Sequence, residues 1–245
     1  VGYEKPEEWK DRVQQLVDEG GARALFEKAD ESETRMLDQE MTERCIDHID
    51  ETKKNKDSLG GAYEVVVTGV PPGLGSYVQW DRRLDGRLAQ AIMSIQAQKG
   101  AEVGDGFLNV QRPGSQVHDE IVYEDGEFSR RTNRAGGTEG GVSTGMPLVV
   151  RGYMKPIPTL IKPLDSVDIE SKEAQPTRYE RSDVTSVPAA STVAEATVAF
   201  EVAKLIMRKY GGDSFKELKR RFENEAGAGD EGSAGGENGG ENGAA

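Results

Sequence analysis

The sequence predicts an α/β protein, and three stretches carry that expectation. Ala62 to Thr68 is rich in valine, the β-branched composition that favours a pleated backbone. Pro147 to Met154 is an apolar run of strand length, read as a buried strand. Pro188 to Tyr210 is rich in Ala and Val and apolar nearly all round, read as a long helix buried between layers.

Composition narrows the class. A chain of 245 residues makes one large domain or two small ones. No apolar run approaches the roughly 20 residues that span a bilayer, and no charged start leads into an apolar h-region. Cys45 is the only cysteine, so no intrachain disulfide forms and a cytoplasmic setting is expected. The net charge of -13 disfavours a nucleic-acid partner, whose phosphates it would repel. A small anionic substrate remains compatible, because a local basic pocket can outweigh the global sign. Ala226 to Ala245 contains only Gly, Ala, Ser, Asn, Asp and Glu. With nothing to bury, it is expected to be a disordered acidic tail behind one folded region, 1–225.

In chain order, Pro6 opens a helix with Trp9, Val13, Leu16 and Val17 on one face; Gly20-Gly21 ends it, and a short helix over 22–28 follows. Asp38 to Lys56 is a second helix with Met41, Cys45, Ile46 and Ile49 on a stripe. Cys45 is therefore a small core residue, and His48, off the stripe, a solvated one. The Gly69–Gly75 stretch, with Pro71 and Pro72, forces a loop. From Leu84 a helix face continues through Leu88, Ile92 and Ile95 and stops at Gly100, with Gln96 and Ala97 in its last turn. Val103 to Gln111 is a further strand candidate, and Asp165 to Glu170 a short edge segment. Asp213 or Ser214 caps a last helix, with Phe215, Leu218 and Phe222 on its inner face.

Four stretches invite a chemical reading. In Lys155-Pro156-Ile157-Pro158-Thr159 two prolines fix φ and push their neighbours into extended geometry. The lysine and the threonine hydroxyl at its ends suit an anionic group; a rigid surface connection after a strand is the alternative. Arg130, Arg131 and Arg134 adjoin the glycines Gly136 to Gly141, where backbone N–H groups could meet an anion, or the run is a flexible loop. No Gly-Lys-Ser/Thr follows, so it is not a Walker loop. His118 stands beside Asp119 and Glu120, but adjacent residues on extended backbone point apart. A turn or packing role is expected there rather than a metal site, because zinc needs three or four converging N or S ligands.

Several motifs stand together in one order: Trp80-Asp81-Arg82-Arg83-Leu84-Asp85; Ala89 to Ala97 with Met93-Ser94-Ile95-Gln96-Ala97; Asn133 to Gly141 with Thr138-Glu139-Gly140; Gly145-Met146-Pro147; Lys155 to Thr159; and Arg181-Ser182-Asp183 followed by Pro188-Ala189-Ala190-Ser191. From about Ser58 to Phe215 this pattern closely resembles chorismate synthase. The resemblance implies helices sandwiched between mixed β-sheets, and a homotetramer. It implies a 1,4-elimination of phosphate and a proton from 5-enolpyruvylshikimate 3-phosphate to give chorismate, in the shikimate pathway. The cofactor is reduced FMN, with NADPH a candidate reductant. Carried over, Gln96, Ala97, Gly140, Lys155, Pro156, Ile157, Pro158, Thr159 and Arg181 contact the flavin. Arg181 also lies near substrate, and Asp183 manages a proton near flavin N5, its pKa tuned by burial and by Arg181. Arg134 is a further candidate cation without a family assignment.

The family's Gly-Glu-Ser-His start and Arg-Ser-Ser-Ala-Arg motif do not occur here, and neither His48 nor His118 stands in the context of the family's proton-transfer histidines. Val1 therefore reads as an internal point of the family sequence. A second expectation follows: a truncated, catalytically incompetent chain that binds flavin or oligomerises.

Overall fold

The computed structural model describes residues 6–124, 126–178 and 180–231. The helices are α1 (Pro6–Asp30), α2 (Gln39–Lys54), α3 (Leu84–Ser94), α4 (Gly106–Asn109), α5 (Val187–Tyr210) and α6 (Phe215–Glu231). The strands are β1 (Gly61–Val67), β2 (Gln98–Val103), β3 (Ile121–Glu124), β4 (Glu127–Arg130), β5 (Thr138–Glu139), β6 (Val142–Ser143), β7 (Leu148–Met154), β8 (Asp165–Val167) and β9 (Ala174–Pro176). The chain divides into two compact units, one through Glu201 and one from Val202 onward.

In the first unit β7 is the centre of a three-stranded sheet ordered β1-β7-β2, with both pairings antiparallel. Tyr63, Val65, Leu148 and Val150 are buried, as period-two alternation requires of one sheet face. Leu84, Leu88 and Ile92, at helical spacing on α3, are fully buried where α3 packs on β2 and β7. The opposite sheet face carries a charge ladder that the apolar run concealed. Arg151 stands opposite both Glu64 and Glu102 in register. Its guanidinium lies 2.6 Å from Glu64 and 3.5 Å from Glu102 and donates to the Gly104 carbonyl. Glu102 also accepts from the Tyr153 hydroxyl and the Phe107 N–H. A buried guanidinium is tolerable only with this degree of pairing.

α1 is broken at Gly20 and Gly21, the latter at φ +66°, so the expected pair of helices is present; the Trp9 side chain lies outside the described residues. Asp38 caps α2 by accepting the Met41 N–H, and Cys45 is buried there. Burial pushes its thiol pKa up, which suits a core residue.

Several expectations shift. α3 ends at Ser94, Gln96 and Ala97 lie in the following turn, and the next strand is Gln98–Val103 rather than Val103–Gln111. Gly100 is a strand residue, close against the Tyr153 ring, and not a helix stop. The strand ends at Gly104, whose φ of +60° turns the chain into α4. Asp165–Val167 is half of a β8–β9 hairpin. α5 buries one face only: Val187, Ala190, Ala194 and Val198 are buried, whereas Val193, Phe200 and Met207 are exposed. Ala and Val tolerate either environment, so an even apolar composition did not separate the faces.

In the second unit the Ser214 hydroxyl accepts the Glu217 N–H at the start of α6, and the Phe222 ring meets Tyr210 edge-on at 5.3 Å. Phe215, expected on the inner face, is 79% exposed. α6 runs to Glu231, into the stretch read from composition as tail; residues 232–245 lie outside those described.

Candidate functional site

The antiparallel pairing of β2 with β7 brings the end of the Ala89–Ala97 motif to the start of Lys155–Thr159. Gln98 pairs with Met154, with a bulge between Gln98 and Gly100, a device that re-aims backbone at strand ends. The turn before it is strained: Ala97 sits at φ +64°, a left-handed conformation that costs a non-glycine residue about 1 kcal/mol. Its carbonyl accepts the Lys155 N–H at 2.9 Å. Gln96 and Lys155 are exposed on this turn and strand end.

The Lys155–Thr159 segment is joined in turn to Arg181-Ser182-Asp183, 23 positions on in sequence. The Thr159 hydroxyl donates to Ser182 Oγ, which donates back to the Thr159 carbonyl, both at 3.1 Å. A short strap ahead of β1 lies against both segments. Ser58 Oγ donates to the Ile157 carbonyl at 2.6 Å, and the Leu59 N–H donates to the Val184 carbonyl at 2.7 Å. Gly60 is so close that a Cβ there would fall 2.3 Å from the Met154 carbonyl oxygen.

Electrostatically this is the open part of the first unit. Lys155, Pro156, Pro158, Arg181 and Asp183 are exposed, and Ile157 and Thr159 half-buried. Among the described residues neither Lys155 nor Arg181 has a carboxylate partner, whereas Arg83, Arg130 and Arg131 are paired with Asp85, Glu139 and Glu120. Asp183 is exposed and makes no ion pair with Arg181 among the described residues, so neither the burial nor the pairing expected of it is present. At the start of α3 burial acts upward on the Asp85 carboxyl. Hydrogen bonds from Arg83 and the Gly86 N–H outweigh it and hold the group below the usual range.

The glycine run behaves differently from either reading of it. Gly136 donates to the Asn133 carbonyl and Gly137 to the Asn133 side chain at 2.7 Å, so these N–H groups are already used. A Cβ on Gly136 would lie 2.3 Å from Gly104 N, and one on Gly137 2.4 Å from the Pro147 carbonyl oxygen. The glycines are there for close backbone packing. Gly140 and Gly141 form the two-residue loop of the β5–β6 hairpin at φ +58° and +88°, the pair of positive values a type I′ turn requires. Gly141 accepts the Leu84 N–H at 2.8 Å and so fixes the start of α3. Gly140 is exposed at the tip, and no hydrogen bond among the described residues links it to Lys155 or Arg181. The half-buried Arg134 lies in the connection between β4 and β5, and no hydrogen bond among the described residues links it to Lys155 or Arg181.

Two positioning groups stand out: Asp119, in a stretch where a turn or packing role is expected, and a strap that the sequence reading missed. His118 is exposed while its neighbour Asp119 is 6% exposed. Asp119 accepts from the Thr132 hydroxyl at 2.5 Å and from the Arg134 and Ala135 N–H groups at 2.8 and 2.9 Å. It shapes the loop that enters the glycine run. The other group is the strap at Ser58–Gly60. A Gly-Gly pair before a valine-rich strand hinted at close approach there, but nothing local named its partners.

A cavity of about 780 Å³ lies in the same unit, lined mainly by apolar residues of α1, α2, β1 and α5. Tyr63 lines it. The Tyr63 hydroxyl has no hydrogen-bond partner among the described residues, and burial pushes its pKa up to about 12.

Comparison with known proteins shows which family the chain is similar to. The chorismate synthase family model matches residues 8–207. Chorismate synthase of Salinibacter ruber is 72% identical over 227 residues, covering 91% of this chain and 56% of the relative. That of Enterococcus faecalis is 56% identical over 198 residues, covering 80% and 51%. A crystal structure of chorismate synthase superposes with a TM-score of 0.75 at 44% identity, covering 93% of this chain and 60% of that one. The chain thus spans about half the length of the curated relatives it matches. The α/β fold expected from the motifs is therefore present over the matched length, the match reaches N-terminal of those motifs into α1, and the chain belongs to the chorismate synthase family.

Proposed function

We propose that this chain carries the flavin-binding part of a chorismate synthase, a lyase that eliminates phosphate and a proton from 5-enolpyruvylshikimate 3-phosphate. The observation that supports this most directly is the joining of Lys155–Thr159 to Arg181–Asp183, with neither cation paired to a carboxylate among the described residues. The residues fit reduced FMN. Lys155 and Arg181 supply positive charge for its phosphate and for the anionic substrate, Thr159 and Ser182 supply hydroxyls, and the Gln96–Ala97 turn supplies backbone against the ring system. When bound, reduced FMN supplies electron density to the breaking C–O bond and recovers it, so the reaction is redox-neutral overall.

The chain's own groups do the rest. Arg181 and Lys155 oppose the negative charge that builds on the departing phosphate. Asp183 would offer a carboxylate oxygen to hold a proton at flavin N5. The two prolines hold the segment extended in advance, so little entropy is lost on binding. A homotetramer, a cytoplasmic setting and NADPH as reductant belong to the same reading. For the membrane, no helix among the described residues is long and apolar enough to cross one.

The test is anaerobic. Protein, reduced FMN and substrate are mixed under argon, and phosphate release is followed alongside flavin fluorescence. Phosphate release above a no-enzyme control is expected. Lys155→Ala is expected to weaken FMN binding about tenfold, the scale of one charged hydrogen bond. Absence of phosphate release, with FMN affinity indifferent to Lys155→Ala, would sink the reading.

A further inference from the structure

We infer that Ser58 is a positioning residue for the candidate flavin site, acting through the carbonyl of Ile157; the inference rests on the flavin reading above. Ile157 lies between two prolines, neither of which has an N–H to donate. A Pro-x-Pro segment cannot be fixed by a strand ladder, so its place depends on what its carbonyls accept. The Ile157 carbonyl accepts from Ser58 Oγ at 2.6 Å.

Lys56 and two strap residues, Ser58 and Leu59, hold three points at or beside the site. The Lys56 carbonyl accepts the Lys162 N–H at 3.1 Å, Ser58 reaches Ile157, and the Leu59 N–H donates to Val184. One strap therefore holds both the Lys155–Thr159 segment and the residue that follows Asp183. The excursion through β8 and β9 leaves and returns between these points, and its own two strands pair only with each other. The base of that excursion is closed by the strap and by the Thr159–Ser182 pair.

The strap is itself anchored. The Asp57 N–H donates to the carbonyl of Thr52 on α2, the Ser58 N–H donates to the Asp57 carboxylate at 2.8 Å, and Lys56 takes φ +61° to make the turn. Ser58 is 9% exposed, too buried to touch a ligand at the exposed cations directly. Its action on Lys155 and Arg181 is through the backbone it fixes.

The experiment compares the wild type, Ser58→Ala, Ser58→Thr and Lys155→Ala. FMN dissociation constants, thermal midpoints and amide exchange over residues 155–162 and 181–185 are measured. We expect Ser58→Ala to weaken FMN binding about fivefold with a midpoint close to the wild type. Exchange should quicken in both segments, and Ser58→Thr should restore affinity and exchange. Wild-type affinity in Ser58→Ala while Lys155→Ala loses it overturns the inference; so does exchange that quickens in neither or only one segment. A wild type that binds no FMN overturns the flavin reading instead, and exchange then still decides whether Ser58 couples the two segments.

Discussion

Two glycine- or proline-marked regions of the first unit look alike in sequence and do opposite things. Around Gly136 an arginine-flanked glycine run could have cradled an anion, yet Gly136 and Gly137 spend their N–H groups on Asn133 and pack against Gly104 and Pro147. Around Lys155 a lysine and two prolines could have been a plain surface connection, yet their side chains stay open and their backbone is tied to Ala97, Ser58 and, through Thr159, to Ser182. Both regions have an ordered backbone. They differ in whether polar groups are left over once the fold has used what it needs. A binding site is recognised by that surplus, not by residue types that are compatible with an anion.

Three substitutions put the contrast to work. Gly136→Ala should cost about 3 kcal/mol of stability, because it meets a left-handed φ and the Gly104 backbone together; denaturant midpoints report it. Asp119→Ala should cost about 2 kcal/mol, since it strands two backbone donors and one hydroxyl donor. Limited proteolysis should then cut within 130–137 before any other described loop. Lys155→Ala should change stability by less than about 0.5 kcal/mol, as an exposed lysine without an ion-pair partner contributes little to folding, while flavin affinity falls. A large stability loss in Lys155→Ala, or an unperturbed Gly136→Ala, would break the contrast.

Much of the architecture was legible residue by residue. β1 announced itself through a valine-rich run, β7 through an apolar run, α2 through its stripe, and the break in α1 through Gly20-Gly21. The Lys155–Thr159 and Arg181–Asp183 segments were legible as motifs. What misled was glycine, which can end a helix, sit in a strand or turn a corner. Gly100 was read as the first and is the second, and the strand placed after Val103 lies before it. The exposed face of α5 was hidden because its alanines and valines carry no polar mark. A turn or packing role was legible at Asp119, but its partners, 13 to 16 positions away, were not.

Local chain chemistry fixed where strands and helices start, which backbone is rigid and which motifs the family shares, because propensity, capping and proline geometry act over a few residues. Which charges are used up and which remain was decided by strand register and loop closure across the fold. Arg151 and Lys155 are four residues apart in sequence. One lies buried between two glutamates and the other is exposed with no ion-pair partner among the described residues, because β1 and β2 flank the first and their pairing with β7 ends before the second.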